Sequence, residues 1–565
     1  MLRLSCILFC AAMGVVCATP AHEPSAGEKK PVKKAPPAAS ENKRVEPEVK
    51  KNKQPAMAKG LGEKSTGAQS IVVKRPTARR ATSHVIAPQL IDEQIAAALA
   101  AAKVPTSDAA DDMEFLRRLY LDLHGVVPTA DDVRAFLADS ASDKRAKAID
   151  RLLADRRFAT HLADLWDDYL VPATDDGRPD RQRFTAWLED AFASQSWDTI
   201  AYDLVTASGK REDNAAVVYL LKGRETLTPA ELTDLTSRYF LGVRLNCAQC
   251  HDHPFTTLKQ TDYWGVAAFF TEIQYTDRRM QKSGLIRDDA GVAVEKLENA
   301  AKLRTMKFLG GGEPATESGT SRREVLARWI TSADNAYFAR AMVNRTWAQL
   351  FGRGLIEPVD DMHSDNSATH PELLAGLSRE FTASGYDLRA LYRAMCNSAA
   401  YQRTSRPAKG NETDATLYSR MAVKVLTPEQ LYDSLKVVVP TTGRVKGGGP
   451  KGDPREEFVQ FFRSEGDSSA IAYNRGIPQT LRMMNAPQLF SPQNEAAIVR
   501  RIVGPGASTA DALERIYLHV LARKPTADER ATLDEFLSRY AGEPDSAYGE
   551  ILWALVNGSE FSLNH

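Results

Sequence analysis

Apolar positions recur at helical spacing almost without interruption from Ile91 onward. In "DDMEFLRRLYLDLHG", Phe115, Leu116, Leu119, Tyr120 and Leu123 fall on one helical face. Gly125 and Pro128 stop that helix, and Thr129 with Asp132 three residues on starts another. The same spacing predicts helices in "DKRAKAIDRLLAD", "FATHLADLWDDYLV", "RQRFTAWLEDAFA" and "WDTIAYDLVTA". "TLTPAELTDLTSRYFLG" carries a full start signal, with Thr228 as cap, Pro229 in the first turn and Glu231 closing the box. That helix runs into "LNCAQCHDHPF", and a further helix opens near Thr261 or Asp262 in "TDYWGVAAFFTEI".

The pattern breaks over residues 276–320. "GLIRDDAGVAVEKL" alternates in short stretches and "LGGGEPATESGTS" reads as a linker, which predicts a small β-hairpin and a boundary. Helical spacing resumes at "SRREVLARWI", capped by Ser321 with Glu324 three residues on. Residues 440–480 are Gly/Pro-rich and irregular, and helices return towards the C-terminus. The expected fold is mainly α, with a helical domain over 86–275, a linker with a hairpin over 276–320 and a second helical domain over 321–565. One internal echo stands out. "RLYLDLHGVVPTADDVRAFL" (Arg118 to Leu137) resembles "RIYLHVLARKPTADERATLDEFL" (Arg515 to Leu537), with Pro-Thr-Ala-Asp eight residues after the Tyr in both. A single echo does not make a solenoid.

Composition adds compartment and charge. The chain has 565 residues, 43% hydrophobic and 26% charged. That is an ordinary soluble balance, on a chain long enough for two or more domains. The formal net charge of zero hides an asymmetry. Residues 19–80 hold 15 Lys and Arg against 6 Asp and Glu, a surplus of +9. With Arg3 counted, about −10 falls on residues 81–565, so nucleic acid is not an expected partner. Residues 1–18 read as a signal peptide: Arg3, the apolar run Leu4 to Val16, and "VCA" at Val16 to Ala18. Acylation of Cys17 is the lipoprotein alternative. Residues 19–85, rich in Lys, Pro and Ala, lack the large apolar side chains that would offset ordering entropy, and read as a disordered tether. No transmembrane segment is expected after the signal, and the expected location is periplasmic or extracellular.

Three of the six cysteines lie in that leader, which leaves Cys247, Cys250 and Cys396. Three thiols do not make a disulfide framework. Cys247-x-x-Cys250-His251 is the attachment signature of c-type haem. Two thiols at that spacing reach the two vinyl groups, and the adjacent His251 supplies the iron's nitrogen ligand. Asp252 and His253 would support it. The alternatives are a zinc or other divalent-metal site built from Cys247, Cys250, His251 and His253, with Cys396, His363 and His370 as distant candidates; a local Cys247–Cys250 disulfide; and an inert structured turn. Met280, Met306, His124 and His161 are the candidates for a second axial ligand, each also readable as an ordinary core or loop residue.

"RYFLGVRLNCAQCHDHPF…DYWGVAAFF" and the upstream "LRRLYLDLHGVVPTADDVRAFLAD…DKRAKAIDRLLADRRFATHLADLWDDYL" resemble the planctomycete cytochrome-associated domain of unknown function 1549. "SRREVLARWITSADNAYFARAMVNRTWAQLFGRGLIEPVDDM", "HPELLAGLSREFTASGYDLRALYRAMCNSAAYQRTS", "LTPEQLYDSL", "MMNAPQLF" and "LWALVNGSEF" resemble its usual partner, domain of unknown function 1553. The resemblance covers most of the chain from about Ile91. The family's motif carries over onto Cys247, Cys250, His251, Asp252, His253, Pro254 and Phe255. Many relatives place a separate cytochrome c domain in front; this chain has a single Cys-x-x-Cys-His. The family often has Trp where this chain has Leu258, which puts one aromatic contact in doubt. Relatives often accompany secreted proteins for polymer breakdown, which implies a link to extracellular or periplasmic polymer use.

Two further constellations carry less. "DDMHSDNSATHPELL" offers Asp361 and His370, with His363 between, for hydrolytic acid–base work. The same residues read as a loop followed by a helix start at His370-Pro371-Glu372. "ATDDGRPDR" (Ala173 to Arg181) lacks the spacing of a calcium loop. The leading expectation is an exported c-type cytochrome-like haem or redox protein with an unknown redox partner or secreted assembly. The alternatives are a non-haem metal-binding scaffold and a hydrolase.

Overall fold

The computed structural model describes residues 84–171, 179–221, 228–253, 256–275, 285–314, 319–439, 454–462, 492–540 and 544–565. The expected signal peptide and nearly all of the tether lie outside them, as does Met280. No helix among the described residues is long and apolar enough to cross a membrane.

The chain is mainly helical, as the spacing requires. The first region holds α1 (Gln89–Ala102), α2 (Asp112–His124), α3 (Ala130–Ala138), α4 (Lys144–Ala154), α5 (Arg156–Leu170), α6 (Pro179–Ser194), α7 (Trp197–Val205), β1 (Gly209–Lys210), α8 (Val217–Leu221), α9 (Pro229–Thr236) and α10 (Gln260–Ala267). Then come β2 (Ile273–Tyr275) and β3 (Leu285–Asp288), followed by α11 (Arg322–Ile330), α12 (Phe338–Phe351), α13 (Pro371–Ala383) and α14 (Leu388–Asn397). The remainder is β4 (Lys424–Val425), α15 (Pro428–Val438), α16 (Pro454–Phe462), α17 (Pro492–Val503), α18 (Thr509–Leu521), α19 (Ala527–Ser538), α20 (Pro544–Asn557) and β5 (Leu563–Asn564).

The caps expected from sequence form. Thr129 and Thr228 each close a capping box, with Asp132 and Glu231, and the Ser321 hydroxyl accepts from the Glu324 amide. The hairpin also forms, but it starts earlier than expected and gains a strand. β2 and β3 pair antiparallel, and β1 adds to the other edge of β3, giving the order β1-β3-β2. The internal echo is structural. α2 ends in Gly125 at φ 70° and α18 ends in Ala522 at φ 57°, and each is followed by a Thr-capped helix, α3 or α19.

The two helical regions share one continuous core, which runs from Ile86 to Ala522. Trp197 of α7 stacks on Phe338 of α12 with ring planes 4° apart, and Phe158 of α5 meets Tyr392 of α14 edge-on at 5.1 Å. Buried arginines pin the chain by capturing carbonyls, a role that suits their planar, multi-donor head. Arg118 donates to the Tyr401 and Arg403 carbonyls at 2.7 and 2.8 Å and pairs with Glu114 at 2.7 Å. Arg323 pairs with Asp288 and donates to the Val205 and Ala207 carbonyls, which fastens α11 to the small sheet and to the end of α7.

Candidate functional site

The path to the cysteine motif is built from α9. Directly after it, Ser237–Leu241 widen into a π-helical turn, and Gly242 ends that turn at φ 67°. Such turns recur at functional sites. Glycine is required here twice over. Only it adopts this φ without strain, and an added Cβ would lie 3.0 Å from the Met362 sulfur and 3.1 Å from Ala341 Cβ. Leu245 and Ala248 are fully buried and seat the motif on the core.

Asn246–Gln249 form a 3-10 turn with Cys250 following it. Side chains three residues apart eclipse in such a turn, so Cys247 and Cys250 share a face. Both thiols are unbridged and exposed. α10 braces the loop from below. Gln260 Nε2 donates to the Gln249 and Cys250 carbonyls at 3.1 and 2.5 Å, and Trp264 Nε1 donates to the Gln249 carbonyl at 3.0 Å. The Asp252 carboxylate accepts from the Gln260 amide at 2.9 Å, so its side chain ties the loop to the start of α10. Its backbone carbonyl, 2.7 Å from His251 Nδ1, is what fixes the His251 ring. A carbonyl only accepts, so Nδ1 carries the proton and Nε2 is left as the ring's acceptor atom. The His253 amide donates to the Leu258 carbonyl at 2.9 Å, closing the loop around Pro254 and Phe255, which lie outside the described residues. Leu258, where relatives often have Trp, packs against the core.

A strip from the second helical region lies along this path. Asp360 accepts from Arg238 and, at 2.8 and 3.0 Å, from Arg244. Burial works to raise the Asp360 pKa, but Arg238, Arg345 and Arg244 outweigh it and hold the carboxyl below its ordinary value. Arg345 is packed among the rings of Trp166, Tyr169 and Tyr239, and donates to the Arg238 carbonyl. The Met362 amide donates to the Gly242 carbonyl at 2.9 Å. The His363 ring lies 6.5 Å from that of His253, centroid to centroid. The Asp365 amide donates to His363 Nδ1 at 3.2 Å, which places the proton of the neutral ring on Nε2, 3.6 Å from the Asp361 carboxylate.

The remaining sequence candidates are placed elsewhere. His124 bonds the Leu152 carbonyl at 2.9 Å, and His161 packs under Gly125 with its pKa pushed down by burial to about 3. Met306 packs against the core. Cys396 is fully buried, and burial drives its thiol pKa well up. His370 precedes α13, as its Pro371 predicts, buried beneath the Tyr418 ring. Most of "ATDDGRPDR" lies outside the described residues. Among the described residues no three His, Cys, Asp or Glu side chains gather into a set able to hold a metal ion. Of the distant ligand candidates, His363 is the one seen against a motif residue. The sequence names His363 but gives no sign of this pairing, which joins residues 110 positions apart.

No curated protein and no solved structure matches the chain. Two family models do. Residues 90–275 match PSCyt2, described as protein of unknown function DUF1549, and residues 322–477 match PSD1, described as protein of unknown function DUF1553. The chain thus carries a segment that matches DUF1549 followed by a segment that matches DUF1553.

Proposed function

We propose that this is an exported c-type haem protein in which Cys247 and Cys250 carry the haem and His251 ligates its iron through Nε2. The observation that carries the reading is two exposed, unbridged thiols, Cys247 on the 3-10 turn and Cys250 directly after it, followed at once by an imidazole held by the Asp252 carbonyl. Each thiol would add across one vinyl group, sulfur to one carbon and hydrogen to the other. The Asp252 carbonyl on Nδ1 sets the tautomer and ring direction that a ligating histidine needs. Gln260 and Trp264 keep the turn in shape while its side chains face outward. Bound haem would supply one-electron redox chemistry, and a redox partner would meet it on this exposed face. Export rests on the N-terminal pattern and on the compartment in which bacterial c-type haem is attached.

A divalent metal held by Cys247, Cys250, His251 and His253 is the competing reading. It needs a convergent ligand set, which the described residues do not gather. Haem attachment needs only two thiols on one face and one oriented imidazole. The hydrolase reading has less support. The proton of neutral His363 sits on Nε2 and Nδ1 already accepts from an amide, so the ring offers no open basic nitrogen, and His370 is buried.

The test is haem-dependent peroxidase staining on a denaturing gel, with protein made in a host that matures c-type cytochromes. Staining of the wild type, lost in Cys247→Ala/Cys250→Ala, is the expected result. An unstained wild-type band, with stoichiometric zinc by elemental analysis, would favour the metal scaffold instead.

A further inference from the structure

Four consecutive residues of the DUF1553 segment, Asp360 to His363, accompany the DUF1549 chain from Arg238 to His253. Three contacts are spaced along that path: Asp360 on Arg238 and Arg244, the Met362 amide on the Gly242 carbonyl, and the His363 ring beside His253. The first two hold the turn that leads into the motif, and the third lies at the motif itself. His363 is itself held by the Asp365 amide on Nδ1, and the Asp361 carboxylate lies 3.6 Å from its Nε2. The hydrogen bond to Nδ1 orients the ring beside His253.

We infer that His363 is a positioning residue for the cofactor site: through His253 it sets how the motif loop sits against whatever Cys247 and Cys250 carry. The inference rests on the haem reading. It also gives a physical reason for the two families to occur in one chain, because the second supplies a wall of the first one's site. Asp361 belongs to the same device, since its carboxylate faces the proton-bearing nitrogen of His363. Negative charge near a haem stabilises the oxidised iron, so removing the Asp361 charge raises the potential if this wall reaches the haem.

The experiment compares covalently loaded wild type with His363→Leu, His363→Gln and Asp361→Asn. It reads haem per chain, the ferric absorption spectrum and the midpoint potential. Expected are unchanged haem content in all four, a shifted spectrum and potential in His363→Leu, recovery towards wild type in His363→Gln, which keeps an N–H donor, and a raised potential in Asp361→Asn. A merely structural role would move the melting temperature and leave the potential alone. If His363→Leu folds poorly, Asp361→Asn carries the test, because it changes charge with little change of shape. A spectrum and potential indistinguishable from wild type in both His363→Leu and Asp361→Asn would overturn the inference. Absence of covalent haem from the wild type would overturn the haem reading instead, so the two failures are told apart.

Discussion

Gly242 shows how much one residue carries here. It ends the π-helical turn at φ 67°, hands its carbonyl to the Met362 amide and leaves room for the Met362 sulfur. Gly242→Ala meets both a backbone penalty of about 1–2 kcal/mol for an L side chain at this φ and a close contact with Met362 and Ala341. The expected loss of stability is about 2 kcal/mol or more, read as a lower urea midpoint at unchanged slope. Met362→Ala in the same background should recover part of the loss, because it removes the nearest atom an added methyl would meet.

At the scale of elements, local signals decide where helices begin. Thr129, Thr228, Thr427 and Thr526 all close capping boxes. Thr228→Ala should cost about 1 kcal/mol, seen as a lower denaturation midpoint and as faster amide exchange at the start of α9, which leads to the motif. These starts were legible because a cap, its box partner and the apolar spacing all lie within a few residues. The motif was legible for the same reason. What escaped is non-local. The third strand, Gly209–Lys210, pairs with Ile286 and Leu285, 77 and 75 residues away, and no turn signal announces it. The π-helical turn has no residue signature of its own: the buried positions Leu232, Thr236, Tyr239 and Phe240 keep ordinary helical spacing through it. The meeting of His253 with His363 depends on how two helical regions pack, which spacing within either one does not encode.

At the scale of the whole molecule, buried polar groups hold the two regions in register. Lys424 donates to Asp122 at 2.6 Å and to the Gln349 and Leu350 carbonyls at 2.8 Å, while Asp122 also accepts from Tyr401 and Asn564. Burial lowers the Lys424 pKa. Asp122→Asn would strand a buried ammonium, with an expected loss of about 3–5 kcal/mol by urea denaturation. The histidines set the response to acid. Burial pushes His124, His161, His370 and His519 below the ordinary imidazole value of 6.5, His161 to about 3. The unfolded chain therefore takes up protons near pH 6.5 that the fold refuses. The stability these neutral rings contribute is complete above pH 6.5 and is lost as the pH falls towards 3. Each fully buried ring steepens the loss by up to about 1.4 kcal/mol per pH unit. Helicity followed from pH 8 to pH 4 should show acid unfolding, and His161→Phe should shift it to lower pH.

The central claim is that Cys247 and Cys250 exist to carry haem, and the most direct measurement is the visible spectrum of the protein after denaturation. The protein would be made in a host that matures c-type cytochromes, unfolded in alkaline pyridine, and stripped of non-covalent haem beforehand by acid acetone. The account predicts one covalent haem per chain, with the band positions of a haem whose two vinyl groups have been saturated by thioethers, and none in Cys247→Ala/Cys250→Ala. A colourless wild-type protein from a host that loads a control cytochrome in parallel would contradict it.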